Sequence, residues 1–291
     1  MDEQNNMASK SRTRILLTIV ALIILALVFF ASSGSEPEVA DSDNPTREDN
    51  ALVVDNVLGE PSVSTIQTET VIYHNETSGY LAQPEGEGPF PGLILIHEWW
   101  GLNDNIRDLA EDFAQQGYVA LAVDLYDGNV ATTSSDAGAL AGAVRNDVDG
   151  AFANLNDAVA YLGNLPSVGT APLATVGWCF GGQWAYEMAK NDLGIDASVM
   201  YYGRFSAEDD LSMMRADILG HFGEEDRSIA VDDVRQFEAK LKTLEGDHAV
   251  FIYPNAGHAF ANEDNEEAYN EEAAQLAWER TMDFLSRELQ Q

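Results

Sequence analysis

Residues 173–190 read LATVGWCFGGQWAYEMAK. An apolar run ends at Gly177, a glycine-rich break follows, and a stretch of helical composition begins, so the segment predicts a strand, a tight turn and a helix. Cys179 stands on the turn and is the only cysteine among 291 residues. A single thiol makes no intramolecular disulfide, and no Cys/His cluster has zinc spacing, so this cysteine is either apolar filler or a reactive group. Its position favours the second. Gly177, Cys179 and Gly181 fit G-x-S-x-G with sulfur in place of oxygen, the pattern of a nucleophile elbow. The glycines let neighbouring chain approach a strained backbone, and the helix start aims N–H groups at the thiol, which favours thiolate and later an oxyanion.

Working outward, strand and helix patterns alternate. TVIYHNETSGYLAQP (70–84) reads as an opening hairpin, and PGLILIH (91–97) and YVALAVD (118–124) as strands covered on both faces. Between them Asn103 or Asp104 can cap a helix running through Gln116 and stopped by Gly117. A second amphipathic helix spans Asp147 to Leu162. ASVMYYG (197–203), DILGHFG (217–223) and HAVFIYP (248–254) complete the strand set. The order is that of an α/β fold with a mostly parallel sheet and helices on both faces, which binds ligands at the carboxyl ends of its strands.

A nucleophile on such an elbow needs an acid and then a histidine further along the chain. Asp226 lies in GEEDRSI after one strand and His258 in NAGHAF after the next, both at the edge that carries Cys179. Glu224 and Glu225 are the alternatives to Asp226. The other histidines have weaker claims: His221 and His248 fall within strand patterns, and His74 lies on the surface of the hairpin. HEWWG (97–101) starts like the zinc-protease motif H-E-x-x-H, but Gly101 stands where the second histidine would be.

The segments LILIHEWWGLNDNIRDLAEDFAQQGYVALAVDLY (93–126), VGWCFGGQWA (176–185), YYG (201–203), GEEDRSI (223–229) and YPNAGHAF (253–260) together resemble the dienelactone hydrolases, a family of the α/β-hydrolase superfamily, over residues 65 to 288. The resemblance implies an α/β-hydrolase fold and a triad of Cys179, Asp226 and His258. It also implies an acid, Glu98, near the nucleophile, and an oxyanion hole from the backbone N–H groups of Phe180 and Trp99. The activity implied is cleavage of an ester or lactone through an acyl-enzyme thioester, with no metal or organic cofactor.

The chain also departs from that family. Where dienelactone-cleaving members place two arginines for the substrate carboxylate, it has Gly128 and Asn262. Dienelactone itself is therefore expected to be a poor substrate, and a neutral ester or lactone a better one. Arg204, after YYG, is a candidate replacement. Trp99, Trp100, Trp178, Tyr126 and Tyr202 either line an aromatic pocket or serve as packing. A catalytically idle binding module and an acyltransferase using the same thiol are the competing functions.

Charge sets the remaining limits. The chain carries 49 acidic and 15 basic residues, a net charge of −34, so nucleic acid is excluded as a partner. Such a surface keeps a protein soluble where salt screens self-repulsion, which suits a saline setting; an acidic exported protein is the plainer reading. After a basic stretch at 1–14, residues 15–31 form an apolar run of 17, expected to be a transmembrane anchor or a cleaved signal with the catalytic domain outside the cytoplasm. Residues 32–51 read as an acidic disordered linker and 52–291 as the catalytic domain. Asn75-Glu76-Thr77 matches a glycosylation acceptor. The oligomeric state has no sequence signal.

Overall fold

The computed structural model describes residues 65–290. Eight strands make one sheet: β1 (Ile66–His74), β2 (Thr77–Pro84), β3 (Gly92–Ile96), β4 (Val119–Val123), β5 (Leu173–Trp178), β6 (Ala197–Tyr201), β7 (Asp217–Gly223) and β8 (Ala249–Tyr253). Their spatial order is β1-β2-β4-β3-β5-β6-β7-β8. The β1–β2 and β2–β4 pairs are antiparallel, and every pair from β4 to β8 is parallel. Six helices accompany them among the described residues: α1 (Asp104–Gln115), α2 (Ser134–Asn146), α3 (Val148–Asn164), α4 (Phe180–Lys190), α5 (Val231–Leu241) and α6 (Glu271–Leu289). This is an α/β-hydrolase fold with a mixed sheet.

Apolar runs without alternation mark the central strands because helices cover both of their faces. Every residue of β3, β4, β5 and β6 is buried. Ile94, Ile96, Val119, Leu121 and Val123 pack on one side of the sheet; Leu93, Leu95, Ala120, Ala122 and Val176 pack on the other. Helix starts follow the sequence signals. The Asn103 side chain accepts from the N–H of Ile106, and the Asp147 side chain from that of Gly150. Asp147 thus caps α3 from outside it. Gly117 ends the turn after α1 at φ +95°, a conformation that glycine adopts without cost.

Two expectations are corrected. The fold class is cut back to an α/β-hydrolase fold with a mixed sheet: no helix among the described residues is long and apolar enough to cross a bilayer. The longest of them, α6, has charged residues throughout its 19 positions, whereas a span needs about 20 predominantly apolar ones. The anchored or exported localisation rested on the 15–31 run, which lies outside the described residues, and it is withdrawn. The segments at 1–14 and 32–51 also lie outside them.

Candidate active site

Strand β5 delivers Cys179 and α4 carries the chain away. Between them Cys179 adopts φ 54°, ψ −109°, held by its N–H donating to Tyr201 O at 2.9 Å. That turn closes only because α4 lies against the neighbouring strand ends. A Cβ on Gly181 would collide with the carbonyl oxygens of Ile96 and His97, and one on Gly177 with the carbonyl of Gly181. These obstacles are backbone and cannot rotate away. Gly181→Ala is therefore expected to lower unfolding free energy by about 3 kcal/mol or more, readable as a lower urea midpoint.

The loops after β7 and β8 supply the partners. His258 Nε2 is 3.1 Å from Cys179 Sγ, and its Nδ1 is 2.7 Å from Asp226 Oδ2. The other carboxylate oxygen of Asp226 accepts from the N–H groups of Ser228 at 2.7 Å and Ile229 at 3.2 Å, which fixes the acid's orientation. Glu224 and Glu225 are exposed, and only their backbones pin the loop, so Asp226 is the acid that reaches the histidine. Burial pulls the His258 pKa down, but the hydrogen bonds to Asp226 and Cys179 and the charges of both raise it, to about 10. Cys179, Tyr202 and Ala259 all have positive φ, so unfavourable backbone is concentrated around the thiol.

Glu98 is buried beneath this arrangement. Its Oε1 accepts from Tyr202 Oη at 3.3 Å and its Oε2 from Asn262 Nδ2 at 2.5 Å. Burial pushes its carboxyl up, against the bond from Asn262, the charge of His258 and the bond from Tyr202. Both oxygens are thus engaged, and no hydrogen bond joins Glu98 to Cys179. Asn262 belongs to the setting of Glu98. Gly128 sits at φ +84° with its N–H on Asp124 Oδ2 at 2.5 Å, and a Cβ there would meet nothing.

Sequence reading missed what His97 does. It is wholly buried; its Nδ1 lies 2.6 Å from Glu98 O, and its Nε2 accepts from Leu125 N–H at 3.2 Å. Burial lowers its pKa, so the ring is neutral with the proton on Nδ1. It ties the turn carrying Glu98 and Trp99 to the loop after β4. Tyr126 adds a second tie, donating its hydroxyl to Trp99 O at 3.3 Å. The N–H groups of Trp99 and Phe180 meet no protein acceptor among the described residues. Trp99 and Trp100 are half-buried and in edge contact, ring centres 5.0 Å apart. Trp178 is buried and stacks on Tyr201, which makes it packing.

Burial drops His221 to a pKa of about 3, and it bonds Tyr253 and Thr281 as a core residue. His248 accepts from Ile218 N–H. His74 is half-buried and bonds Asp157 at 2.6 Å, so the hairpin histidine is tied down. A cavity of about 800 Å³ lies between the hairpin and the loop after β4, lined in part by Thr77, Tyr80, Arg107 and Asp127, and includes none of the residues around the thiol.

A family model described as "Dienelactone hydrolase family" matches residues 77–289. The chain belongs to the dienelactone hydrolase family. A Synechocystis sp. protein named "Putative carboxymethylenebutenolidase" is 31% identical over 243 residues, covering 77% of this chain and 98% of its own. "Protein usf" of Aquifex pyrophilus is 34% identical over 218 residues, covering 72% of this chain and 93% of its own. The dienelactone hydrolase-like promiscuous phosphotriesterase P91, from metagenomic libraries, superposes with a TM-score of 0.71 over 77% of this chain and 99% of its own, at 21% identity, a likeness of fold. This dienelactone hydrolase family member is a carboxylic ester or lactone hydrolase.

Proposed function

We propose that the chain cleaves a small ester or lactone through a thioester on Cys179, with His258 as base and acid and Asp226 as its orienting partner. The observation that carries this is the unbroken line of hydrogen bonds from Asp226 through His258 to Cys179, at 2.7 and 3.1 Å, on an elbow with positive φ. Asp226 holds the imidazole with Nε2 toward sulfur, so His258 takes the thiol proton. The thiolate attacks the carbonyl carbon, and the oxygen gains charge facing the N–H groups of Trp99 and Phe180. Collapse breaks the C–O bond, and His258 gives its proton to the departing alkoxide. His258 next deprotonates a water that attacks the thioester; the C–S bond breaks and the acid leaves. Glu98 and Tyr202 brace the base of the site, with Trp100 and Tyr126 beside the turn of Trp99.

The dienelactone anion lacks guanidinium partners at 128 and 262, each worth about 1.5–3 kcal/mol when charge-assisted. Its kcat/KM is expected to fall at least tenfold below that of a short neutral aryl ester assayed beside it. Equal or faster turnover of dienelactone would refute that preference.

A further inference from the structure

Asn154 has no role in the chemistry above, and it is an odd residue for its place. It lies within the 17-residue helix α3 with only 5% of its surface exposed, where an apolar side chain is the ordinary occupant. A buried amide needs partners. Its Nδ2 donates to Asp124 O at 3.0 Å, and its Oδ1 accepts from Tyr73 Oη at 2.7 Å. Tyr73 has one hydroxyl proton, which goes to Asn154 Oδ1 as the nearer of two acceptors, and its oxygen accepts from Asp124 N–H at 3.0 Å. Asn154 on α3 and Tyr73 on β1 thus hold the peptide groups on both sides of Asp124, just past the end of β4.

The line of bonds continues to the catalytic edge. Asp124 O and Leu125 N–H are the two ends of one peptide group, and Leu125 N–H donates to His97 Nε2 at 3.2 Å. Because Nε2 faces a donor, the ring proton is on Nδ1, which donates to Glu98 O at 2.6 Å. The ring has little room to turn, since it stacks on Phe180 at 5.7 Å and meets Tyr126 edge-on at 4.6 Å. Glu98 O, which also takes Gly101 N–H at 3.2 Å, shares its peptide group with Trp99 N–H. In a trans peptide the two point in opposite directions, so a carbonyl held toward His97 aims Trp99 N–H away from it. The bonds from Asn154 to Asp124, from Leu125 to His97 and from His97 to Glu98 run in one donor-to-acceptor sense. Bonds aligned in this way polarise one another in a low-dielectric interior.

We propose that Asn154 is a remote positioning residue for the oxyanion hole: acting through the Asp124–Leu125 peptide and His97, it orients and polarises the N–H of Trp99. The inference rests on the proposed mechanism, which gives that N–H to the oxyanion. Phe180 N–H, on α4, lies outside this relay. Loss of Asn154 therefore weakens one of the two donors, and it acts where charge develops in the transition state rather than on substrate binding.

The test uses the full-length chain and a short aryl ester. Asn154→Leu is expected to lower kcat about tenfold with KM unchanged, part of the roughly hundredfold or greater loss that follows outright removal of an oxyanion donor. Affinity for an aryl trifluoromethyl ketone should fall by the same factor, because the thiolate adds to its carbonyl carbon and the oxygen takes the charge. Alkylation of Cys179 by iodoacetamide, which forms no oxyanion, should keep its wild-type rate. Thr175→Val removes a buried bond of the same kind, from Thr175 Oγ1 to Ile94 O at 3.1 Å, and should lower the urea midpoint while leaving kcat unchanged. A kcat for Asn154→Leu within about twofold of wild type overturns the relay, as does a fall in kcat matched by an equal fall in alkylation rate. A second measurement needs no variant. Nuclear magnetic resonance of the isotopically labelled histidines should show the His97 proton on Nδ1, moving downfield when the ketone binds. A proton on Nε2, or a ring that does not respond to the ketone adduct, also overturns the relay. Failure of the hydrolytic reading looks different: wild type would neither turn over any ester nor form the adduct, and the relay would fall with it.

Discussion

Cys179→Ala is expected to remove ester hydrolysis by at least about four orders of magnitude while the protein stays folded. The magnitude follows from the chemistry: without sulfur there is no acyl-enzyme, and what remains is water attacking a carbonyl held by binding contacts alone. Folding is spared because alanine is no worse at φ 54° than cysteine, and the N–H bond to Tyr201 O is backbone. The measurement is kcat/KM on a short aryl ester beside the urea midpoint of each protein. Intact mass after a rapid quench should show one acyl adduct on wild type and none on the variant. Residual activity within tenfold of wild type would mean that another group attacks the carbonyl, and the mechanism built on Cys179 would fall.

Much of this arrangement was legible in the chain because the turn chemistry is local. Gly177 and Gly181 are forced by contacts with backbone, so they appear in the sequence as a motif around Cys179. Unalternated runs such as GLILI and VALAV announce strands covered on both faces, and both are buried throughout. Asp226 and His258 were legible because each follows a strand whose end lies on the same sheet edge. Helix α2 gave a weaker signal: its small residues bury only Ala137 and Ala141. Position 262 was read by analogy as a substrate contact, but its asparagine serves Glu98, a pairing across 164 residues that no local pattern encodes. His97 was noticed only for a zinc motif it does not complete, since its partners, Glu98 O and Leu125 N, are backbone atoms.

Asp226→Asn should lower kcat by about three to four orders of magnitude, and its pH dependence identifies the cause. Asparagine keeps an oxygen for the N–H groups of Ser228 and Ile229, so the loop after β7 retains its shape. The other position then presents an NH2 group to His258 Nδ1. That nitrogen must accept, the ring proton moves to Nε2, and the imidazole can no longer take a proton from Cys179. The carboxylate also raises the His258 pKa toward about 10, so its removal lowers that pKa. Residual activity requires protonated His258 for the leaving alkoxide, and its alkaline limb should move to lower pH. Stability must follow the same sign. A histidine whose folded pKa exceeds its unfolded value of about 6.5 stabilises fully below that pH and loses the contribution as pH rises through the folded value. The urea-midpoint gap between wild type and Asp226→Asn should therefore be widest near pH 6 and narrow as pH is taken through about 10. A gap independent of pH, with activity reduced less than tenfold, would show that Asp226 merely fills space beside the ring.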